Sequence, residues 1–227
     1  MRSVVLSILV AAATLPALVA SGSMGSVIPS PTAVLCDTQT FSFDPTGVIQ
    51  LERSFGDVRI EGWDRPEVEI TTIRSTHARK DAAQAERDLD RISITAVKQG
   101  EDLLKITTDY PSGVGHSLRT KPETDLKYVI KAPAKAKIVV HHDMGQVKLV
   151  NLTGDVEVTN RIGDIGLLLR NPRAYRVDAR ARVGGVESDF GCSAGLSHQL
   201  RTHGEAGHPQ LYLRVGVGDI SIRTIRS

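Results

Sequence analysis

Aromatic residues are scarce in this chain. Phe, Trp and Tyr together make up 4% of 227 residues. That scarcity argues against functions built on rows of stacking platforms, such as single-strand nucleic acid binding or extended sugar subsites. Charge of one sign is also missing. The formal net charge is +2, and loss of Arg2 with an N-terminal signal takes it to +1. Such a balance gives no electrostatic case for DNA, RNA or an anionic membrane. Only two cysteines, Cys36 and Cys192, are present. In an oxidising compartment they are free to form one disulfide. A lipid-anchored Cys36 is disfavoured, because the large Leu35 precedes it and it lies far from the apolar run. Beyond the first twenty residues no segment is apolar enough to span a bilayer.

What is present begins with an address. MRSVVLSILVAAATLPALVASGS carries a basic Arg2, an apolar run from Val4 to Leu15, Pro16, and then small residues at Ala20, Ser21 and Gly22. This is the layout of an export signal, with cleavage expected between residues 20 and 24. The sequence divides into a signal over 1–22, a Ser/Gly/Pro/Thr-rich tether over 23–40, and one domain over 41–227. The mature chain is expected to carry no membrane span.

Within the domain, apolar residues fall in pairs two apart: Ile49 and Leu51, Val58 and Ile60, Val68 and Ile70. Turn residues separate the pairs, which is strand periodicity. RKDAAQAERDLDR, residues 79–91, lacks glycine and β-branched residues and reads as one short helix. Gly100 and Glu101 sit between two alternating segments and predict a hairpin. PSGVGHSLRTKPET reads as a loop.

The most distinctive stretch is GQVKLVNLTGDVEVTNRIGDIGLLLRN. Gly145, Gly154 and Gly163 are nine residues apart, each followed by a polar residue and an apolar pair. Further copies begin at Gly56-Asp57 and Gly218-Asp219, with a degenerate one at Gly184. Pairs two apart point to one face of a strand. Glycine tolerates positive φ, and Asp holds turns through backbone hydrogen bonds. A strand and a turn per nine residues predict a mainly β chain coiled as a β-solenoid or β-helix-like domain. Val147 and Leu149, Val156 and Val158, and Ile165 and Leu167 are its expected core. An antiparallel sandwich is the competing architecture.

The aspartates admit sharper readings. Calcium-binding nonapeptide repeats have the same period but a different ligand order. A carboxylate pair for glycoside cleavage needs two acids flanking one bond, and Asp155 and Asp164 would have to stack to supply it. Gln146 takes the equivalent place in the first copy, so a turn role accounts for all copies together. His141-His142-Asp143 has metal-ligand types, but adjacent strand residues face opposite ways, and solvated turn residues fit better. Ser193 in GCSAG lacks the strand–turn–helix context of a nucleophile elbow. Trp63 is assigned to the cover of an edge. No residue is assigned to catalysis, a cofactor or a metal.

FGDVRIEGWDRPEVEI, the helix with RISITAV, the repeat, YRVDARARVGGVESDFG and LYLRVGVGDISI, in that order, resemble the DUF4097 family of bacterial exported proteins, similar to auto-transporter adhesin head domains. The resemblance covers about residues 41–227. It implies a right-handed β-helix-like fold and a cell-envelope location, in the periplasm or at the cell surface. The expected role is non-enzymatic, presenting a surface to an envelope protein or glycan. Two alternatives remain open: a secreted polysaccharide-active enzyme, and an envelope-stress partner of a membrane regulator.

Overall fold

The computed structural model describes residues 6–7, 33–77, 81–109, 124–190, 198–202 and 207–225. The chain is mainly β, with two large mixed sheets around one core. Sheet A runs β1 (Leu6–Ser7), β2 (Ala33–Ser42), β5 (Glu67–Thr76), β8 (Thr124–Pro133), β4 (Asp57–Trp63), β10 (Val147–Val150), β12 (Ile165–Leu169), β17 (Ile220–Thr224) and β14 (Val186–Ser188). Sheet B runs β15 (Gln199–Arg201), β13 (Arg176–Val183), β16 (Gln210–Val217), β11 (Val156–Ile162), β9 (Lys137–Met144), β3 (Val48–Phe55), β7 (Leu103–Asp109) and β6 (Ser93–Gln99).

The chain crosses between sheets by a regular rule. A strand of sheet B passes through a corner into a strand of sheet A, making one layer. In space the layers stack as β7/β8, β3/β4, β9/β10, β11/β12, β16/β17 and β13/β14. Between layers the pairing is parallel in both sheets. The central ladders are therefore not those of an antiparallel sandwich. Antiparallel pairing is confined to the outer parts of the sheets: β1, β2, β5 and β8 at one side of sheet A, and β6/β7 and β13/β15 at the two ends of sheet B.

The nine-residue period is half of a layer. Val147 pairs with Ile165 and Leu149 with Leu167 in sheet A, while Val156 and Val158 lie in sheet B. All six expected core residues are buried. Each contributes roughly 1.5–3 kcal/mol by leaving water. Alternate copies of the repeat, not successive ones, stack on each other.

Residues 33–40, which composition assigns to a tether, belong to β2. This strand pairs with β5 without interruption, from Ala33 with Thr76 to Ser42 with Glu67. Its polar DTQTFS segment suits a strand at the side of the sheet, where burial demands little of the side chains. The helix α1 spans Ala82–Asp90, and Asp81 caps it by accepting from the Gln84 amide at 2.8 Å. Its Ala85 and Leu89 pack with Ala33 and Leu35 of β2. The β6/β7 hairpin turns at Gly100 as expected. The loop read over 111–124 lies outside the described residues except for Thr124.

Candidate binding surface

The repeat glycines form a column. Gly56, Gly145, Gly163, Gly218 and Gly184 occupy one corner of successive layers. Gly163 shows why: its φ is +120°, and a Cβ there would lie 2.1 Å from the Gly145 carbonyl oxygen. Both conformation and space exclude a side chain. Gly154 is different. It lies at the opposite corner, outside the left-handed region, yet a Cβ would meet the Lys135 and Ala136 carbonyl oxygens at 2.4 and 2.5 Å.

The aspartates do not hold their own turns. Each reaches the next layer. Asp164 Oδ1 accepts from the Asp219 amide at 2.9 Å, Asp219 Oδ1 from the Gly185 amide at 2.7 Å, and Asp57 Oδ1 from the Gln146 amide at 3.4 Å. Asp155 makes the same bond at the other corner, to the Gln210 amide at 2.8 Å. Asp155 and Asp164 are separated by the length of β11, on the order of 25 Å. They do not form the carboxylate pair that glycoside cleavage requires.

His141 and His142 face opposite ways, as strand geometry demands. His141 is exposed. His142 is buried, in contrast to the solvated turn role expected of it. A bulge at Glu52–Ser54 turns Ser54 inward, and Ser54 Oγ lies 2.7 Å from His142 Nδ1. Asn160 occupies the matching position one layer on and donates to the Gly145 carbonyl at 2.9 Å. Burial holds His142 down from an ordinary value of 6.5 to about 4, so the imidazole is neutral. Ser54 is fully buried. No substrate carbonyl can reach its Oγ, so this Ser–His pair is a core polar contact.

Trp63 donates its ring N–H to the Glu67 carbonyl at 2.9 Å, and Arg65 and Lys131 lie over the ring at 5.0 and 5.6 Å. The indole is engaged at the β4–β5 turn, as an edge cover should be. Cys36 is half-buried in β2, opposite Ile73. Cys192 and Ser193 lie outside the described residues. Among the described residues no group of three or more His, Cys, Asp or Glu is placed to hold a metal ion.

The outer face of sheet B carries the feature that the sequence reading missed. Arg161, Arg176, Arg180, Arg182, Arg201 and Arg214 gather on β11, β13, β15 and β16. Arg180 lies directly beside Arg214 in register, and Asp178 beside Tyr212. Asp178 holds Arg214 at 3.0 Å and Arg201 at 3.4 Å. The Arg214 guanidinium keeps the Asp178 carboxyl below the usual carboxylate range, with Arg201 adding to the effect. Arg214 also stacks over Tyr212 at 3.9 Å. Beside this ring opens a shallow cavity of about 240 Å³, lined by Lys137, Asp155, Val156, Glu157, Gln210 and Tyr212. The signal was available in YRVDARARV: Arg176, Arg180 and Arg182 lie at even spacings, and period two puts them on one face.

The fold is shared with a solved structure. A proposed cell adhesion protein from Clostridium sporogenes superposes with a TM-score of 0.53 at 14% identity, covering 84% of this chain and all of that one. A proposed adhesin from Bacteroides fragilis gives a TM-score of 0.35 at 9% identity, covering 84% of this chain and 97% of the other. No protein-family profile and no curated protein matches the chain. The likeness to the Clostridium protein establishes a common fold, and DUF4097 remains a resemblance carried by the quoted segments. No helix among the described residues is long and apolar enough to cross a membrane.

Proposed function

We propose that this chain is an exported, non-enzymatic cell-envelope protein whose β-solenoid body presents a surface for binding or adhesion. The observation that carries this reading is the register-locked stack. Parallel layers about 4.8 Å apart set outward side chains in straight rows across broad faces. Such rows suit recognition of an extended partner. The solenoid description fits a stack in which two neighbouring layers are transposed near each end. The adhesion role named for the Clostridium protein of the same fold supports the reading. The order of Arg2, apolar run and small residues supports export. β1 lies within that signal segment, so processing removes it from sheet A. β2, which carries Cys36, and β14, which ends four residues before Cys192, lie seven strands apart in sheet A, on the order of 34 Å. The two cysteines therefore stay as thiols within one chain, and the disulfide expected from their number does not form.

The test uses the full chain expressed with export and recovered from the envelope fraction. Its N-terminus is expected between residues 21 and 25, and its intact mass should rise on alkylation without prior reduction. Purified protein is then incubated with envelope polysaccharide of the producing organism. Saturable binding without new reducing ends is the expected result. Retention of Met1 overturns the export claim, and release of reducing ends points to the enzyme alternative.

A further inference from the structure

We propose that the arginine array on the outer face of sheet B is a binding site for a linear, carboxylate-bearing polysaccharide. The inference rests on the binding role above and specifies its ligand chemistry.

Like charges placed side by side across strands destabilise a sheet. Arg180 and Arg214 are so placed. Arg214 and Arg201 have Asp178 as counter-charge and Arg161 has Asp143 at 3.8 Å, whereas Arg180 and Arg182 have no acidic partner among the described residues. Both are exposed and two residues apart on β13, so their guanidinium groups project from one face. On sheet A the strand arginines are paired, and among the described residues its unpaired exposed cations are the lysines Lys127 and Lys148. There Arg59 pairs with Glu61 at 3.0 Å, Lys131 with Glu69 at 2.8 Å and Arg223 with Glu187 at 3.2 Å. The excess of unpaired arginine is thus a local property of one face of a chain that is nearly neutral.

Asp178 does not cancel the array. It holds Arg201 and Arg214 in place, which lowers the entropy lost when they meet an anion. Arginine forks match carboxylates in bidentate geometry. The spacing between layers, about 4.8 Å, is close to the length of one sugar unit in an extended chain. A polysaccharide lying across β13 and β16 therefore offers a carboxylate to successive layers. Alongside that row, two and four residues back along β16, lie Tyr212 and the polar cavity containing Gln210, Asp155 and Glu157. That ring and those hydrogen-bonding groups suit sugar hydroxyls. A membrane surface fits less well, because among the described residues the array's exposed large hydrophobics are only Val183 and Val217, side chains too short to enter the lipid past the arginines.

The experiment measures binding of the full chain to alginate, with dextran, phosphatidylglycerol vesicles and a short DNA duplex as comparisons. Variants are Arg180→Ala combined with Arg182→Ala, and Arg59→Ala on the opposite face. Thermal melts confirm that each is folded. Alginate is expected to bind in preference to the other three, with affinity falling steeply as salt rises. The double variant should lose about ten-fold in affinity and show a shallower salt dependence, while Arg59→Ala should match the wild type. Alginate binding that ignores the double variant, or tighter binding to vesicles or DNA, overturns the proposal. Envelope polysaccharide binding that is indifferent to salt and to the double variant overturns the array but leaves the binding role standing. Failure to bind any glycan overturns both.

Discussion

At Gly163 two constraints coincide, a positive φ and a carbonyl oxygen where a Cβ would sit. Gly163→Ala is therefore expected to cost roughly 3 kcal/mol or more. Asp164→Ala removes one exposed bond to the next layer and should cost about 0.5–1.5 kcal/mol. Chemical denaturation of the two variants checks the order. A chelator should shift neither the wild type nor the variants, because the Asp164 oxygen is occupied by a backbone amide. A larger loss from the aspartate change, with a chelator-sensitive wild type, would restore the calcium reading. His142 supplies a pH dependence. Its folded value, about 4, lies below the ordinary 6.5. Between those limits the unfolded chain binds more protons, so stability is full above about pH 6.5 and falls as pH drops toward 4. The effect is on the order of 3 kcal/mol. Asn160 already fills the equivalent place one layer away, which makes His142→Asn a tolerable probe. The variant should show a flatter profile across that window; identical profiles would remove His142 as the cause.

At the scale of elements, α1 is held by the packing of Ala85 and Leu89 on β2 and by one polar side chain of the sheet beneath it. Arg74 of β5 is largely buried and bonded to Asp37, and it donates to the Ile92 carbonyl at 2.9 Å and the Leu89 carbonyl at 3.3 Å. It thus adds a second donor to the Leu89 carbonyl, which already accepts from the Ile92 amide at 3.1 Å, and serves the Ile92 carbonyl just past the helix end. Arg74→Ala is expected to cost roughly 2–4 kcal/mol. Asp81→Ala, which removes the N-cap, should cost about 1 kcal/mol. Equal losses in equilibrium unfolding would mean that the cap matters as much as the clamp. This clamp illustrates what was legible beforehand. The helix itself showed in its Ala/Glu/Gln/Arg composition, and the core pairs showed in period two, because both signals are local. Arg74 reads as one more surface arginine until β2, β5 and the helix meet. β2 was hidden because a polar outer strand carries little apolar alternation. Ser54 and His142 were hidden for another reason: only a bulge brings Ser54 to the inner face.

Across the whole molecule the order of layers departs from the order of the chain. β16/β17 lies between β11/β12 and β13/β14, although β13 and β14 come first in sequence. No local pattern encodes that exchange, since the corners of β11/β12, β13/β14 and β16/β17 all carry a similar positive-φ glycine. It has a consequence for assembly. A chain delivered from its N-terminus can stack β11/β12 on β9/β10 as each emerges. It then reaches β13 and β14 with no correct surface to receive them. Those strands must wait, and the edge of β11 stays open, until residues 210–224 arrive and insert. The stack thus stays unfinished until β16 and β17 are in place. In pulse-labelled refolding, β13 amides should gain protection from exchange no earlier than those of β16. Protection of β13 first would mean that the stack is built in a different sequence.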